Sequence, residues 1–157
     1  MARIKITIPA NIIARITIPV RITDINYGNH LGNDALVSIV HESRVQFLKG
    51  YNYSELDIEG TSLIMGDLAV EYTSESFYGD ILEISIAAAE ITKVSFELYY
   101  HIQTTRNDKT ITIAKAKTGM ICYDYGNKKV VVVPEKLKEI LISDLMIWKF
   151  GDGREKI

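Results

Sequence analysis

Cysteine is nearly absent from this chain. Cys122 stands alone among 157 residues, which excludes an intramolecular disulfide and any zinc site built from several cysteines. No apolar run approaches the ~20 residues of a membrane-spanning helix, so no membrane partner is expected. An excess of one charge is missing too. With 18 Lys+Arg against 20 Asp+Glu the net charge is −2, and nothing predicts the basic face of a general nucleic-acid binder. The first residues, MARIKITIPANIIARITIP, are broken by two prolines and lack the continuous apolar stretch of a secretory signal. The 3 histidines are far apart, and no pair has the short spacing of a local chelate, so no metal is expected. These absences set the expectation of a soluble cytoplasmic protein.

What is present is ordinary globular material, 47% hydrophobic and 24% charged. The length suits one domain over 1–157, burying roughly 70% of its unfolded surface. Val, Ile and Thr dominate, and β-branched residues favour pleated, half-buried surfaces. In 14–26, Ile16, Ile18, Val20 and Ile22 fall on one face and Arg15, Thr17 and Arg21 on the other. Pro19 within that run predicts an edge position or a bulge. The repeated ITIP at 6–9 and 16–19 is a local echo, because repeat architectures need several copies.

A helix is expected over 33–49 (at the narrower count, 34–49), capped by Asn33 or Asp34 and stopped by a left-handed Gly50. Leu36, Ile39, Val40, Ser43 and Phe47 make its stripe, widened by Ala35, Val37, Val45 and Leu48. So broad an apolar girth predicts a helix wrapped by other elements. Strand-like runs follow at 62–74, 81–92, 95–105 and 110–125, with 129–133 extending the last hairpin. Gly79-Asp80, Asn107-Asp108 and Gly126-Asn127 punctuate them as turns. Pro134 opens a second helix over 135–146, and 151–157 reads as a polar tail. One strand, a long helix and then consecutive strands define an α+β domain with an antiparallel sheet packed on the helix, its core at about 14–134. The other face of such a sheet predicts a second copy.

The densest polar cluster is DINYGNHLGND, Asp24 to Asp34, leading into the first helix. Its glycines permit tight backbone paths, and a helix N-terminus offers free N–H groups to developing negative charge. A carboxylate or His beside such a terminus is a minimal kit for acyl transfer: one group activates water and the amides hold the oxyanion. The same residue types also suit a turn-rich surface loop with a capping Asp or Asn.

The run Asp24-Ile25-Asn26-Tyr27-Gly28-Asn29-His30-Leu31-Gly32-Asn33 resembles the D-x-D-x-x-G-H-V-N-N loop of hotdog-fold acyl thioesterases. The stretch ALVSIVHESRVQFL, 35–48, is similar to the Y-L-x-x-F-E-E-A-R helix that follows it in that family, which comprises the 4-hydroxybenzoyl-CoA thioesterase group and its acyl-carrier-protein relatives. The turn at Gly79-Asp80 and the AKAKTGM stretch at 114–120 resemble the family's strand pattern, so the likeness spans about 16–134. It implies a hotdog fold, an antiparallel sheet wrapped around the central helix. It also implies hydrolysis of an acyl thioester of coenzyme A or acyl carrier protein, by a homodimer or homotetramer. No cofactor is implied beyond the coenzyme A of the substrate.

Two departures matter. The second Asp of D-x-D, the family's usual catalytic carboxylate, is Asn26 here, and an amide cannot act as a general base. Gly32 replaces the first Asn of the N-N pair. A second group of hotdog thioesterases carries the carboxylate on the helix, about two turns after the oxyanion amide, and that count reaches His41 or Glu42. The resemblance therefore implies a carbonyl held by the N–H of Asn33 or Asp34, and water or carbonyl oriented by Asn26. Glu42, His41 or Asp24 would take the proton, with His30 shaping the loop or assisting. His41 also suits a hydrogen-bonded structural histidine, Glu42 an ion pair, and Asp24 a brace for the loop. Lys115 and Lys117 suit a solvated sheet, and no residue is assigned to coenzyme A. A non-catalytic acyl-CoA-binding hotdog protein and an enoyl-CoA hydratase, with its Asp-x-Asn-Pro-x-His loop, are the rival readings.

Overall fold

The computed structural model describes residues 1–143. The elements run β1 (Ile12–Pro19), a 3-10 turn (Ile22–Asp24), α1 (Asn33–Lys49), β2 (Ser62–Tyr72), β3 (Ile81–Ala89), β4 (Ser95–Arg106), β5 (Lys109–Asp124), β6 (Lys129–Val130) and α2 (Glu135–Ile142). The strands form one antiparallel sheet in the order β1-β3-β4-β5-β2, with β6 paired to β5. This is the expected α+β hotdog arrangement. β4 and β5 meet through Asn107 (φ 50°) and Asp108 (φ 62°), both positive as a tight primed hairpin turn requires. Residues 144–146, expected to continue α2, and the expected tail 151–157 lie outside the described residues.

Alternation built the sheet's inner face. Ile16, Leu82, Ile84, Ile86, Leu98, Tyr100, Ile102 and Ala114 are fully buried, and Leu36, Ile39, Val40, Phe47 and Leu48 of α1 belong to the same cluster. Removing such side chains from water at about 25 cal/mol per Å² is the main stabilising term. Leu137, Ile140 and Leu141 bring α2 into this core.

Several local expectations are corrected. β1 stops at Pro19, so the alternation read over 14–26 is strand only as far as residue 19 and Ile22 belongs to a 3-10 turn. Pro19 does sit on an edge strand, while the irregularity lies between Ile12 and Ala14. Neither Asn33 nor Asp34 caps α1: the N-cap is Gly32, and Asn33 is already helical. Gly50 is right-handed (φ −59°, ψ −20°), and the left-handed residue after the helix is Asn52 (φ 62°). Val45, read as part of the apolar stripe, is exposed, whereas Arg44 is buried.

Candidate active site

A cleft of about 790 Å³ opens at the N-terminus of α1. Three segments wall it: the 26–34 loop and first helical turn, the 72–76 stretch leaving β2, and Ile113 of β5. The loop is held by its backbone. Gly32 donates to the Asp24 carbonyl (3.0 Å), Asn26 to the His30 carbonyl (3.0 Å), and Leu31 to the Ser76 carbonyl (2.7 Å).

At the helix start, the Asn33 side chain accepts from the Asp34 N–H at 2.8 Å. The Asp34 amide, one of two expected oxyanion donors, is thereby occupied. The Asn33 N–H has no acceptor among the described residues. The missing Cβ at Gly32 matters here: it would stand 2.7 Å from Asp34 Oδ1, so the replacement of the family's Asn makes room for that carboxylate. Tyr72 closes the far wall, its hydroxyl donating to the Asn33 carbonyl at 2.8 Å. Its pKa is raised by burial and then by the nearby Asp34 charge.

Asn26, which lines the cleft, uses its Oδ1 to accept from the Gly28 N–H at 2.8 Å, and its Nδ2 has no acceptor among the described residues. His30 lies across from Glu75, with Nε2 3.8 Å from Oε1, and its Nδ1 is 3.3 Å from the Leu31 carbonyl. Gly28 gives that ring its space, since a Cβ there would come within 3.0 Å of Nε2.

Of the residues singled out from the sequence, Asn26, His30, Asn33 and Asp34 line this cleft. Asp24 does not. Its carboxylate accepts from the Arg21 backbone N–H (2.8 Å) and guanidinium (3.3 and 3.4 Å), bracing the loop. Glu42 shares with Asp24 a separate recess of about 230 Å³ beside α1. His41 projects from the helix, 59% exposed, with Nε2 2.9 Å from Glu55. Within one copy of the chain, none of the three groups named as proton acceptors lines the cleft.

Glu75, Ser76 and Tyr72 were missed. They stand some forty residues downstream of the loop, and their signal was the polar TSES run at 73–76 between two strands. A polar frame sets that run in place. Arg106 donates to the Glu75 carbonyl (2.8 Å) and pairs with Asp80 (2.7 Å), which also accepts from Ser76 Oγ (2.8 Å) and the Phe77 N–H (2.9 Å). Burial alone would raise the Asp80 pKa, but Arg106, Phe77 and Ser76 outweigh it and the net direction is down.

Two other sequence readings are settled by position. Cys122 is fully buried on β5, and burial pushes its thiol up to about 11. His101, half-buried on β4, bonds the Thr112 hydroxyl at 2.9 Å, away from the cleft. Among the described residues no group of three His, Cys, Asp or Glu could hold a metal ion, and no helix is long and apolar enough to cross a membrane.

The thioesterase-like superfamily model matches residues 20–141, and the chain belongs to that superfamily; it is a thioester hydrolase. A protein of Aquifex aeolicus (strain VF5) named "Putative esterase" is 28% identical over 102 residues, 64% of this chain and 75% of that protein. Two solved structures share the fold. A 1,4-dihydroxy-2-naphthoyl-CoA thioesterase from Synechocystis superposes with a TM-score of 0.72 at 15% identity, covering 82% of this chain and 94% of that one. A DHNA-CoA thioesterase from Staphylococcus aureus gives 0.71 at 15% identity, covering 88% and 95%.

Proposed function

We propose that this chain hydrolyses an acyl thioester carried by coenzyme A or acyl carrier protein, releasing the free acid and the thiol without a cofactor. The observation that carries this is the Asn33 N–H, which has no acceptor among the described residues and belongs to a residue at a helix N-terminus lining the cleft. A carbonyl oxygen there gains a donor and the positive end of the helix dipole as it becomes an oxyanion, an effect worth ~3–4 kcal/mol for one donor. The Asn26 amide orients the carbonyl or the water. The cleft's size falls in the usual small-ligand range of roughly 300–1,000 Å³.

Coenzyme A thioesters are the first substrates to try, since the two similar thioesterases above are named for one. The working unit is a homo-oligomer. β2 is an edge strand with Met65, Leu68 and Tyr72 exposed, and an open edge of that kind is a surface on which a second copy adds. A cytoplasmic location goes with this reading.

Thiol release from a panel of aliphatic and aromatic acyl-CoA and acyl-carrier-protein thioesters tests the proposal. Hydrolysis of at least one substrate, reduced about tenfold or more in Asn26→Ala, is the expected result. Binding that raises thermal stability with no thiol released over hours would assign a non-catalytic acyl-thioester binder. Loss of enoyl absorbance from crotonyl-CoA without thiol release would assign a hydratase.

A further inference from the structure

Resting on the hydrolytic reading above, we propose that His30 and Glu75 together replace the carboxylate missing at Asn26, with His30 Nε2 as the general base and Glu75 as its charge partner. The tautomer follows from geometry. A carbonyl can only accept, so the 3.3 Å approach of His30 Nδ1 to the Leu31 carbonyl puts the proton on Nδ1 and leaves the lone pair on Nε2. Nε2 is the atom facing Glu75, at 3.8 Å. That separation is too long for a shared proton. It is short enough for the carboxylate to stabilise an imidazolium, and for one water to touch both.

The backbone that carries the pair is fixed on both sides, with the imidazole about one-third and the carboxylate about two-thirds exposed to the cleft's solvent. His30 adjoins Leu31 and Glu75 adjoins Ser76, and the Leu31 N–H···O=C Ser76 bond (2.7 Å) pins the two segments together. Arg106 fixes the Glu75 carbonyl from behind, and Ser76 is locked onto Asp80. Gly28 leaves the imidazole its room. The other titratable side chains around the cleft are Asp34, Tyr72 and Tyr27.

The step balances without any co-reactant. As the water oxygen bonds to the thioester carbon, its proton passes to Nε2 and the carbonyl π pair moves onto oxygen at the Asn33 N–H. The C–S bond then breaks as the oxyanion collapses, and the imidazolium returns its proton to the departing sulfur. Glu75 is a positioning residue that favours the charged ring and never takes the proton.

The test is steady-state kinetics of thiol release by the full chain, kcat and KM resolved separately, with variants His30→Gln, Glu75→Gln, Glu75→Asp and Asp34→Asn. His30→Gln should lower kcat about 100-fold or more with KM changed less than about threefold. Glu75→Gln should lower kcat about tenfold with KM nearly unchanged, and Glu75→Asp, which keeps the negative charge, should recover most of the lost rate. The thermal midpoint of each variant, measured alongside, separates a lost charge partner from a lost fold. Wild-type hydrolysis with His30→Gln keeping a third of the rate would overturn the pair alone. So would a folded Glu75→Gln as fast as wild type, a Glu75→Asp no faster than Glu75→Gln, or loss of activity only in Asp34→Asn. A wild type that releases no thiol from any substrate would overturn the hydrolytic reading beneath it.

Discussion

The two ends of α1 carry polar clusters of similar composition and opposite condition. Toward the C-terminal half, Arg44 is buried and fully engaged: Nε reaches Glu55 at 3.3 Å and Nη1 the Tyr100 hydroxyl at 3.2 Å, and that hydroxyl meets Thr118 at 2.9 Å. His41 adds to the Glu55 end at 2.9 Å. At the N-terminal end, the Asn33 N–H has no acceptor among the described residues, Asn26 lines a cleft, and His30 and Glu75 stand at 3.8 Å without sharing a proton. Groups that satisfy one another hold a fold together. Groups held in place but left with capacity to bond are available to a substrate.

If that contrast is right, changes at the N-terminal end cost activity, while those at the other end cost stability. The largest effect is expected from Asn33→Pro. Residue 33 is the first helical position, and Gly32 before it is extended (φ −67°, ψ 146°), so proline fits the backbone while deleting the N–H. Steady-state kinetics should show kcat down ~10²–10³-fold with the thermal midpoint nearly unchanged. A rate within a factor of three of wild type would remove the helix start from the site.

Arg44→Met should behave the opposite way. It removes the buried cation that joins Glu55 to the Tyr100–Thr118 pair, at a cost of about 3 kcal/mol in urea unfolding, with kcat per folded molecule kept within about twofold. A collapse of kcat in the folded fraction would mean that the two ends are not separate.

Asp80→Asn sharpens the comparison by loosening the frame behind Glu75. Asp80's pKa lies below its ordinary 3.8, so its contribution to stability is fully present above that value and is lost as pH falls through the depressed one. The variant should be about 1–2 kcal/mol less stable at pH 7, and the gap to wild type should narrow on acidification below about pH 4. Denaturation midpoints at pH 7 and pH 3 check both halves; a gap that widens toward pH 3 contradicts the sign. The smallest effect belongs to His41→Ala. Its pair with Glu55 is exposed on the histidine side, and its loss should change stability by less than about 0.5 kcal/mol in the same assay.

Much of the fold was legible beforehand because it follows from periodicity. The helix was expected over 33–49 and runs Asn33–Lys49, and the four later strands fall within a few residues of their expected runs. The details that failed are those a single residue's backbone angle decides: the cap at Gly32, the handedness of Gly50 and the turn after Pro19. The loop was legible as a polar cluster before a helix. Its members' roles were not, because Asn26, Asp24 and Asn33 each have a local backbone or side-chain partner that sequence spacing does not reveal.

By itself, the sequence determined the classes: an antiparallel sheet on one long helix, a buried lone cysteine, and chemistry concentrated between Asp24 and Asp34. Patterning decides these, since side chains must reach the core at a period of 2 or 3.6. Tertiary structure alone decided which polar groups meet. Asp24 turns to Arg21 and His41 to Glu55, while Glu75 arrives beside His30 from forty-five positions away. The physical reason is that a strand pairing, here of β2 with β5 and β3 with β1, carries whole segments across the molecule. Where their connecting residues land depends on the register of the sheet and on no local signal.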